Sequence, residues 1–102
     1  MKAKEQKVKD EEIEIIKSAI RKNGKAMQTV VAIEEMSELQ KELTKYIRGM
    51  GNRENLKEEV ADVLIMITQI QIMYGLPDDE IKDVVDFKIN RLKERIARKN
   101  DR

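Results

Sequence analysis

The chain has 102 residues, enough for one domain, and 40% of them are charged. A protein of this size buries only about two-thirds of the surface that its unfolded chain exposes, so subunit association would add to its stability. Its 21 basic and 20 acidic side chains nearly cancel, which argues against a general nucleic-acid-binding protein, because such proteins carry a basic excess. The absence of cysteine and histidine excludes disulfides, thiol nucleophiles and histidine-based metal or catalytic sites.

The apolar runs of the chain predict a soluble protein. The longest run, VLIMI at residues 63–67, is too short to span a bilayer. The basic first residues are not followed by the apolar segment of a signal peptide. We therefore expect a cytoplasmic protein.

The periodicity of the apolar residues predicts an all-α protein with four helices and no strands. The helices cover roughly residues 10–22, 25–48, 55–74 and 77–98, and the one proline and four glycines lie near their ends. We interpret residues 10–98 as a single four-helix-type bundle. Residues 1–9 are expected to be a flexible segment and residues 99–102 a frayed end.

The first two predicted helices each carry one apolar face. In the first, Ile13, Ile16 and Ile20 recur at helical spacing, and Asn23-Gly24 follows, a pair suited to the left-handed residue that ends many helices. We expect both faces to pack into the interior. The apolar face of the second helix consists of Val30, Ile33, Met36, Leu39, Leu43 and Ile47.

The third predicted helix is apolar almost all round. Ile65 and Ile72 point away from its main apolar face, and Met66 and Met73 take a third direction. A helix of this kind is a central one, and so short a chain cannot enclose it. We therefore expect a homo-oligomer that completes the bundle. The main face of this helix consists of Val60, Val63, Leu64, Ile67 and Ile70.

The fourth predicted helix opens with Pro77 and three acidic residues, because proline is tolerated in a first turn and acids favour the positive end of the helix dipole. A stripe of Lys88, Arg91 and Arg95 borders its apolar face. This stripe suits phosphate oxygens, but it also fits an ordinary solvated face near a helix C-terminus. The apolar face consists of Ile81, Val85, Ile89, Leu92 and Ile96.

Two groups of acids lie close to these apolar faces. AIEEMSEL at residues 32–39 contains Glu35 and Glu38, three residues apart, and KEEVADVLIMI at residues 57–67 contains Glu59 and Asp62 with the same spacing. Residues three apart are neighbours on a helix surface, so each pair is able to grip one cation. If the two helices pack antiparallel, as a short loop favours, the pairs meet across the interface.

Four clustered carboxylates repel one another, and a metal ion is the natural compensation. Oxygen ligands without histidine or thiolate suit Mg²⁺, or Mn²⁺, rather than zinc or copper. Such a site polarises a phosphoryl oxygen and activates a water molecule. The alternative interpretation is a solvated, glutamate-rich helix surface with ordinary charge pairs.

These motifs resemble a known family. Glu34-Glu35-Met36-Ser37-Glu38, then Glu59-Val60-Ala61-Asp62, then FKINRLKERI, look like the EExxE, ExxD and basic segments of the MazG-type all-α nucleoside triphosphate pyrophosphohydrolases, in their short single-domain form. The resemblance covers about residues 24–97. It is specific because both acidic motifs occur together in an apolar context.

The resemblance implies a reaction, a cofactor and an assembly. The reaction is hydrolysis of a nucleoside triphosphate between its α and β phosphates, giving monophosphate and pyrophosphate, in a dimer or tetramer. Glu34 or Glu58 helps orient water or an outer ligand. The chain lacks the tryptophan that many members carry near the start of the second helix. The resemblance assigns Mg²⁺ ligation to Glu35, Glu38, Glu59 and Asp62, and phosphate contacts, often across a subunit boundary, to Lys88, Asn90, Arg91 and Arg95.

Two alternatives stay open at this point. One is a non-enzymatic helical interaction module whose acids lie on the surface. The other keeps the bundle and the metal but changes the substrate, as in dimeric dUTP pyrophosphatases or phosphoribosyl-ATP pyrophosphohydrolase. Stabilisation by a metal ion would distinguish an enzyme from the interaction module. Activity against a panel of nucleotides would distinguish the possible substrates.

Overall fold

The structure is a computed structural model that describes residues 8–100 of the chain. Over this range it is all-α and contains no strand, as the sequence predicts. Most of the predicted flexible segment and the last two residues lie outside the described range. The four helices are α1 (Asp10–Asn23), α2 (Lys25–Ile47), α3 (Arg53–Tyr74) and α4 (Asp78–Asn100).

The helix ends follow from local chemistry. Gly24 alone joins α1 to α2, and its φ of 90° is one that residues with a side chain rarely adopt. The side-chain oxygen of Asn52 accepts hydrogen bonds from the backbone N–H groups of Glu54 and Asn55 at 2.8 and 3.1 Å. Because this cap satisfies two free donors, α3 begins two residues before its predicted start.

Helices α2 and α3 form an antiparallel pair joined by the loop at residues 48–52, and α1 packs against both. A polar pair lies at the centre of this arrangement. Gln28 Nε2 donates to Gln69 Oε1 at 2.7 Å, and Gln69 Nε2 donates to the backbone oxygen of Gln28 at 3.1 Å. Asn23 Nδ2 also donates to Gln28 Oε1, at 3.0 Å. These bonds fix the register of α2 against α3.

The faces that meet between α2 and α3 are not the most apolar ones. Ala32 is buried on α2, whereas Ile33 is 62% exposed and Val30 47% exposed; on α3, Gln69 is 2% exposed and Ile67 44%. Most of the predicted inward face of α2 is therefore exposed. The predicted face of α3 is divided, because Val60 and Ile67 are exposed whereas Val63, Leu64 and Ile70 are half-buried. The physical reason is the buried glutamine pair, whose mutual hydrogen bonds require these two faces to pack together.

Helix α4 does not pack extensively against the other three. The chain turns by 117° between α3 and α4. Gln71 Nε2 stabilises this turn by donating to the backbone oxygen of Leu76 and to Asp78 Oδ1, both at 3.0 Å. The apolar face of α4 is consequently exposed, with Ile89 at 58% and Ile96 at 50%. Completion of the bundle by a second subunit stays a prediction.

Among the described residues, none of the four helices taken singly has both the length and the apolar content needed to cross a bilayer.

Candidate metal centre

Three carboxylates converge where α2 and α3 pack together. One oxygen each from Glu35, Glu59 and Asp62 lies within 4.8 Å of the other two. Glu35 follows Gln28 by seven residues, and Asp62 precedes Gln69 by seven. Seven residues are close to two helical turns, so the register that joins the glutamines also brings these acids face to face.

The electrostatics of this cluster centre on Glu59. Its side chain is half-buried. Burial, and then the negative charge of Asp62, raise the pKa of the Glu59 carboxyl above its ordinary value of 4.5; Glu38, Glu35 and Glu42 add smaller effects of the same sign. Negative charge is therefore concentrated around this residue, and a cation bound there would relieve the repulsion.

The donor set fits a hard divalent cation. All three groups are carboxylates, the ligand type that Mg²⁺ and Mn²⁺ prefer. Two oxygens on opposite sides of a Mg²⁺ ion lie about 4.2 Å apart, since each Mg–O bond is 2.0–2.1 Å long. The observed spacing, within 4.8 Å, needs only small side-chain rotations to reach this geometry.

The other predicted acids of the site lie further out. The Glu38 side chain is 49% exposed, and its Oε1 is 3.8 Å from Lys41 Nζ. It does not belong to the group of three, although its charge acts on Glu59. Glu34 and Glu58 are exposed, outside the group of three. The ligand role of Glu38 and the outer roles of Glu34 and Glu58 stay predictions.

The predicted phosphate-binding residues lie on α4, apart from the three carboxylates of the same chain. Lys88, Asn90, Arg91 and Arg95 are all exposed. Asn90 Nδ2 donates to Glu94 Oε2 at 3.5 Å, and the Arg91 guanidinium lies 5.9 Å from the centre of the Phe87 ring. Because α4 does not pack extensively on α2 or α3, a phosphate role for these residues requires another subunit and stays a prediction.

Glu42 was not among the predicted site residues, yet it is one of the most buried charged groups. It is only 6% exposed, and its Oε1 has no hydrogen-bond partner. Its charge acts on Glu59. The sequence contained a signal for this burial. Gln28, Glu35 and Glu42 recur every seven residues, a spacing that places side chains along one side of a helix, where they face a packed neighbour.

Comparisons with known proteins leave the chain without an assigned family. No family model matches it, and neither a curated protein nor a solved structure does so significantly.

Proposed function

We propose that the protein is a Mg²⁺-dependent nucleotide pyrophosphohydrolase, which cleaves a nucleoside triphosphate between its α and β phosphates. The observation that carries the proposal is the convergence of Glu35, Glu59 and Asp62 from two helices. The motif resemblance supplies the reaction. A non-redox cation site made only of carboxylates suits phosphoryl chemistry, because such ions bind phosphate oxygens as well as protein oxygens.

The residues of the site have distinct proposed roles. Glu35, Glu59 and Asp62 hold the cation, and Glu38 turns inward from its exposed position to join them. When bound, Mg²⁺ polarises a phosphoryl oxygen and lowers the pKa of a water molecule. Glu34 or Glu58 orients water from the outer side. The half-buried position of the carboxylates reduces competition from bulk water at the reacting phosphate.

The basic side chains of α4 are proposed to neutralise the triphosphate of a neighbouring subunit. Their distance from the carboxylates of their own chain and the exposed apolar face of α4 both favour a homo-oligomer. In such an assembly α4 packs its apolar face on another copy, and Lys88, Arg91 and Arg95 approach that copy's phosphates. Arginine suits this task because its planar group contacts two phosphate oxygens at once.

Product analysis tests the reaction. The purified protein is incubated with each common and modified nucleoside triphosphate and Mg²⁺ in ¹⁸O-enriched water. Pyrophosphate and monophosphate are the expected products. Attack at the α phosphorus places ¹⁸O in the monophosphate, whereas attack at the β phosphorus places it in pyrophosphate. The preferred nucleotide also distinguishes an enzyme with broad substrate specificity from one specific for dUTP or phosphoribosyl-ATP.

Two variants complete this experiment. Asp62→Asn removes one proposed ligand at nearly constant volume and should abolish pyrophosphate release. Glu14→Gln is the matched control, since Glu14 is an exposed acid on α1 paired with Lys17, and it should retain full activity. Absence of turnover across the whole panel, or full activity of Asp62→Asn, contradicts the proposal.

The exposed apolar face of α4 favours a second candidate, a non-enzymatic module that binds another helix. Amphipathic helices are recognised in this way through anchors three and four residues apart. This candidate predicts a melting temperature that does not respond to Mg²⁺, whereas the enzyme proposal predicts stabilisation. The two are therefore separated by one thermal titration with Mg²⁺.

A further inference from the structure

The chain contains three aromatic side chains of the Phe, Tyr and Trp type, two tyrosines and one phenylalanine, and no histidine. Both tyrosines are engaged within the subunit. The Tyr46 ring packs against Gly51 and occupies the space that a side chain at position 51 would need. The Tyr74 hydroxyl shares a hydrogen bond with Thr29 Oγ1 at 2.8 Å, and Lys25 Nζ lies 4.3 Å from the centre of the Tyr74 ring.

Phe87 is the most exposed of the three aromatic side chains. Its exposed fraction is 63%, against 39% for Tyr46 and 47% for Tyr74. The Arg91 guanidinium lies 5.9 Å from the centre of the Phe87 ring, near the outer limit of a cation–π contact. One guanidinium covers no more than one face of a ring. The Phe87 ring therefore keeps a face for a planar ligand, with a cation beside it.

Phe87 lies away from the apolar face that α4 is proposed to pack against another copy. At 3.6 residues per turn it is roughly 140–160° around the helix from Ile89 and Leu92. The stripe of Lys88, Arg91 and Arg95 lies between the phenylalanine and that apolar face. The oligomer is therefore able to form through the apolar face without covering the Phe87 ring.

We propose that Phe87 stacks on the base of the nucleoside triphosphate whose phosphates the basic stripe of α4 contacts. The inference rests on the proposed function, because it names the side chain that binds the other end of the same substrate. Phe87 and Arg91 are four residues apart, about 6 Å along the helix axis, which leaves room for a sugar between a stacked base and a bound phosphate. Aromatic side chains among cations bind bases together with their phosphates in this way.

Binding of ligands with and without a base tests the stacking. Isothermal titration calorimetry with Mg²⁺ compares the α,β-methylene analogues of ATP, GTP, CTP and UTP, in which the bond to be cleaved is blocked, with inorganic tripolyphosphate. Phe87→Ala should weaken nucleotide binding by about fivefold or more and leave tripolyphosphate binding unchanged, whereas Phe87→Tyr should bind like the parent. Ile15→Ala is the control, an exposed apolar position on α1, and should alter neither affinity.

A tryptophan variant gives a second measurement. The chain has no tryptophan, so Phe87→Trp introduces one fluorophore at the proposed stacking position. The nucleotide analogues should quench its emission, and tripolyphosphate should not. Ile15→Trp is the matched control and should respond to neither ligand.

The outcomes distinguish this inference from the proposed function. Unchanged nucleotide affinity of Phe87→Ala overturns the stacking, and pyrophosphate release by the parent then leaves the proposed function standing. Equal weakening of nucleotide and tripolyphosphate binding also overturns it, because Phe87 then acts on the fold or the assembly. If the parent binds the analogues but hydrolyses no nucleotide, the proposed function is wrong, and the quenching of Phe87→Trp decides the stacking. A parent that binds no nucleotide overturns both proposals.

Discussion

At the scale of single residues, three carboxylates meet between α2 and α3. Glu35, Glu59 and Asp62 lie close enough to share one ion, and burial raises the pKa of the Glu59 carboxyl. We therefore expect the ionised cluster to destabilise the fold when no cation is bound. Two predictions follow from that repulsion.

Mg²⁺ should raise the melting temperature of the parent, because a ligand that binds only the native state stabilises it. At a concentration of 100 times Kd the stabilisation is about 2.7 kcal/mol. Asp62→Asn should lose this response while its metal-free form melts at the same temperature as the parent or higher. Differential scanning calorimetry with and without Mg²⁺ measures both effects, and Glu14→Gln should respond like the parent. Identical parent melting curves in the two conditions contradict the metal centre.

The raised pKa of Glu59 predicts a pH-dependent stability in metal-free protein. Because the folded-state pKa lies above the ordinary value of 4.5, the folded protein binds a proton at this site more readily than the unfolded chain does. The destabilisation is therefore fully present above the folded-state pKa and disappears as the pH falls toward 4.5.

This dependence is measured against Glu59→Gln, which cannot ionise. At pH 7 the variant should have a higher melting temperature than the parent. The difference between the two melting temperatures should decrease as the pH is lowered toward 5. Glu58→Gln, an exposed neighbour, should show no such decrease. If the difference in melting temperature stays constant over this pH range, it is not caused by ionisation of Glu59.

At the scale of helices, the register of α2 against α3 is held by a row of polar side chains, here called the polar seam, rather than by their most apolar faces. Gln28 and Gln69 are buried and bonded to each other, and the acids lie two turns further along the same seam. The glutamine pair thus helps to position the three carboxylates of the proposed metal centre.

Gln69→Ala should destabilise the protein by about 2–4 kcal/mol, because it leaves the buried Gln28 amide without its partner and opens a cavity. Gln40→Ala, at an exposed position of α2, should change stability by less than about 0.5 kcal/mol. Urea denaturation measures both. Replacing both Gln28 and Gln69 by leucine should recover part of the lost stability. If Gln69→Ala is as stable as the parent, the glutamine pair does not stabilise the packing of α2 against α3.

Helix α4 carries the proposed phosphate contacts. Arg95→Ala removes a charge-assisted contact worth about 1.5–3 kcal/mol, so KM should rise about tenfold or more while kcat falls less. Lys82→Ala, which removes a surface charge paired with Asp86 on the same helix, is the control and should leave both constants unchanged. If Arg95→Ala has the same KM and kcat as the parent, the stripe of Lys88, Arg91 and Arg95 is an ordinary solvated face without a role in phosphate binding.

At the scale of the whole molecule, one chain leaves much apolar surface exposed. Ile33 and Ile67 lie outside the α2–α3 pair, and Ile89 and Ile96 are at least half exposed on α4. Monomeric proteins rarely present large continuous apolar surfaces, so we expect this surface to be an interface. A second copy covers it in the assembly proposed here.

Sedimentation velocity at micromolar concentration should therefore detect a dimer or tetramer. Ile89→Asp places a charge on the exposed apolar face of α4 and should dissociate or unfold the assembly. Asp83→Asn, an exposed polar position of the same helix, should leave the assembly intact. A monomeric parent at this concentration contradicts the oligomer.

The sequence by itself determined the four helices and placed Glu59 and Asp62 side by side on α3. Both follow from local rules, since helix periodicity and capping depend on residues only a few positions apart. The predicted boundaries agree with the structure to within about two residues, the usual spread at helix ends. The missed cap at Asn52 accounts for the early start of α3.

Only the tertiary structure decided which faces of α2 and α3 meet. That choice depends on hydrogen bonds between Gln28 and Gln69, which are 41 residues apart in the chain, and helix periodicity carries no information about such a pair. The same choice buries Glu42 and leaves Ile33 exposed, opposite to what their polarity suggests. The outward direction of α4 was equally beyond local rules, because helix periodicity carries no information about the angle between successive helices. The hydrogen bonds of Gln71 at the α3–α4 turn accompany this direction.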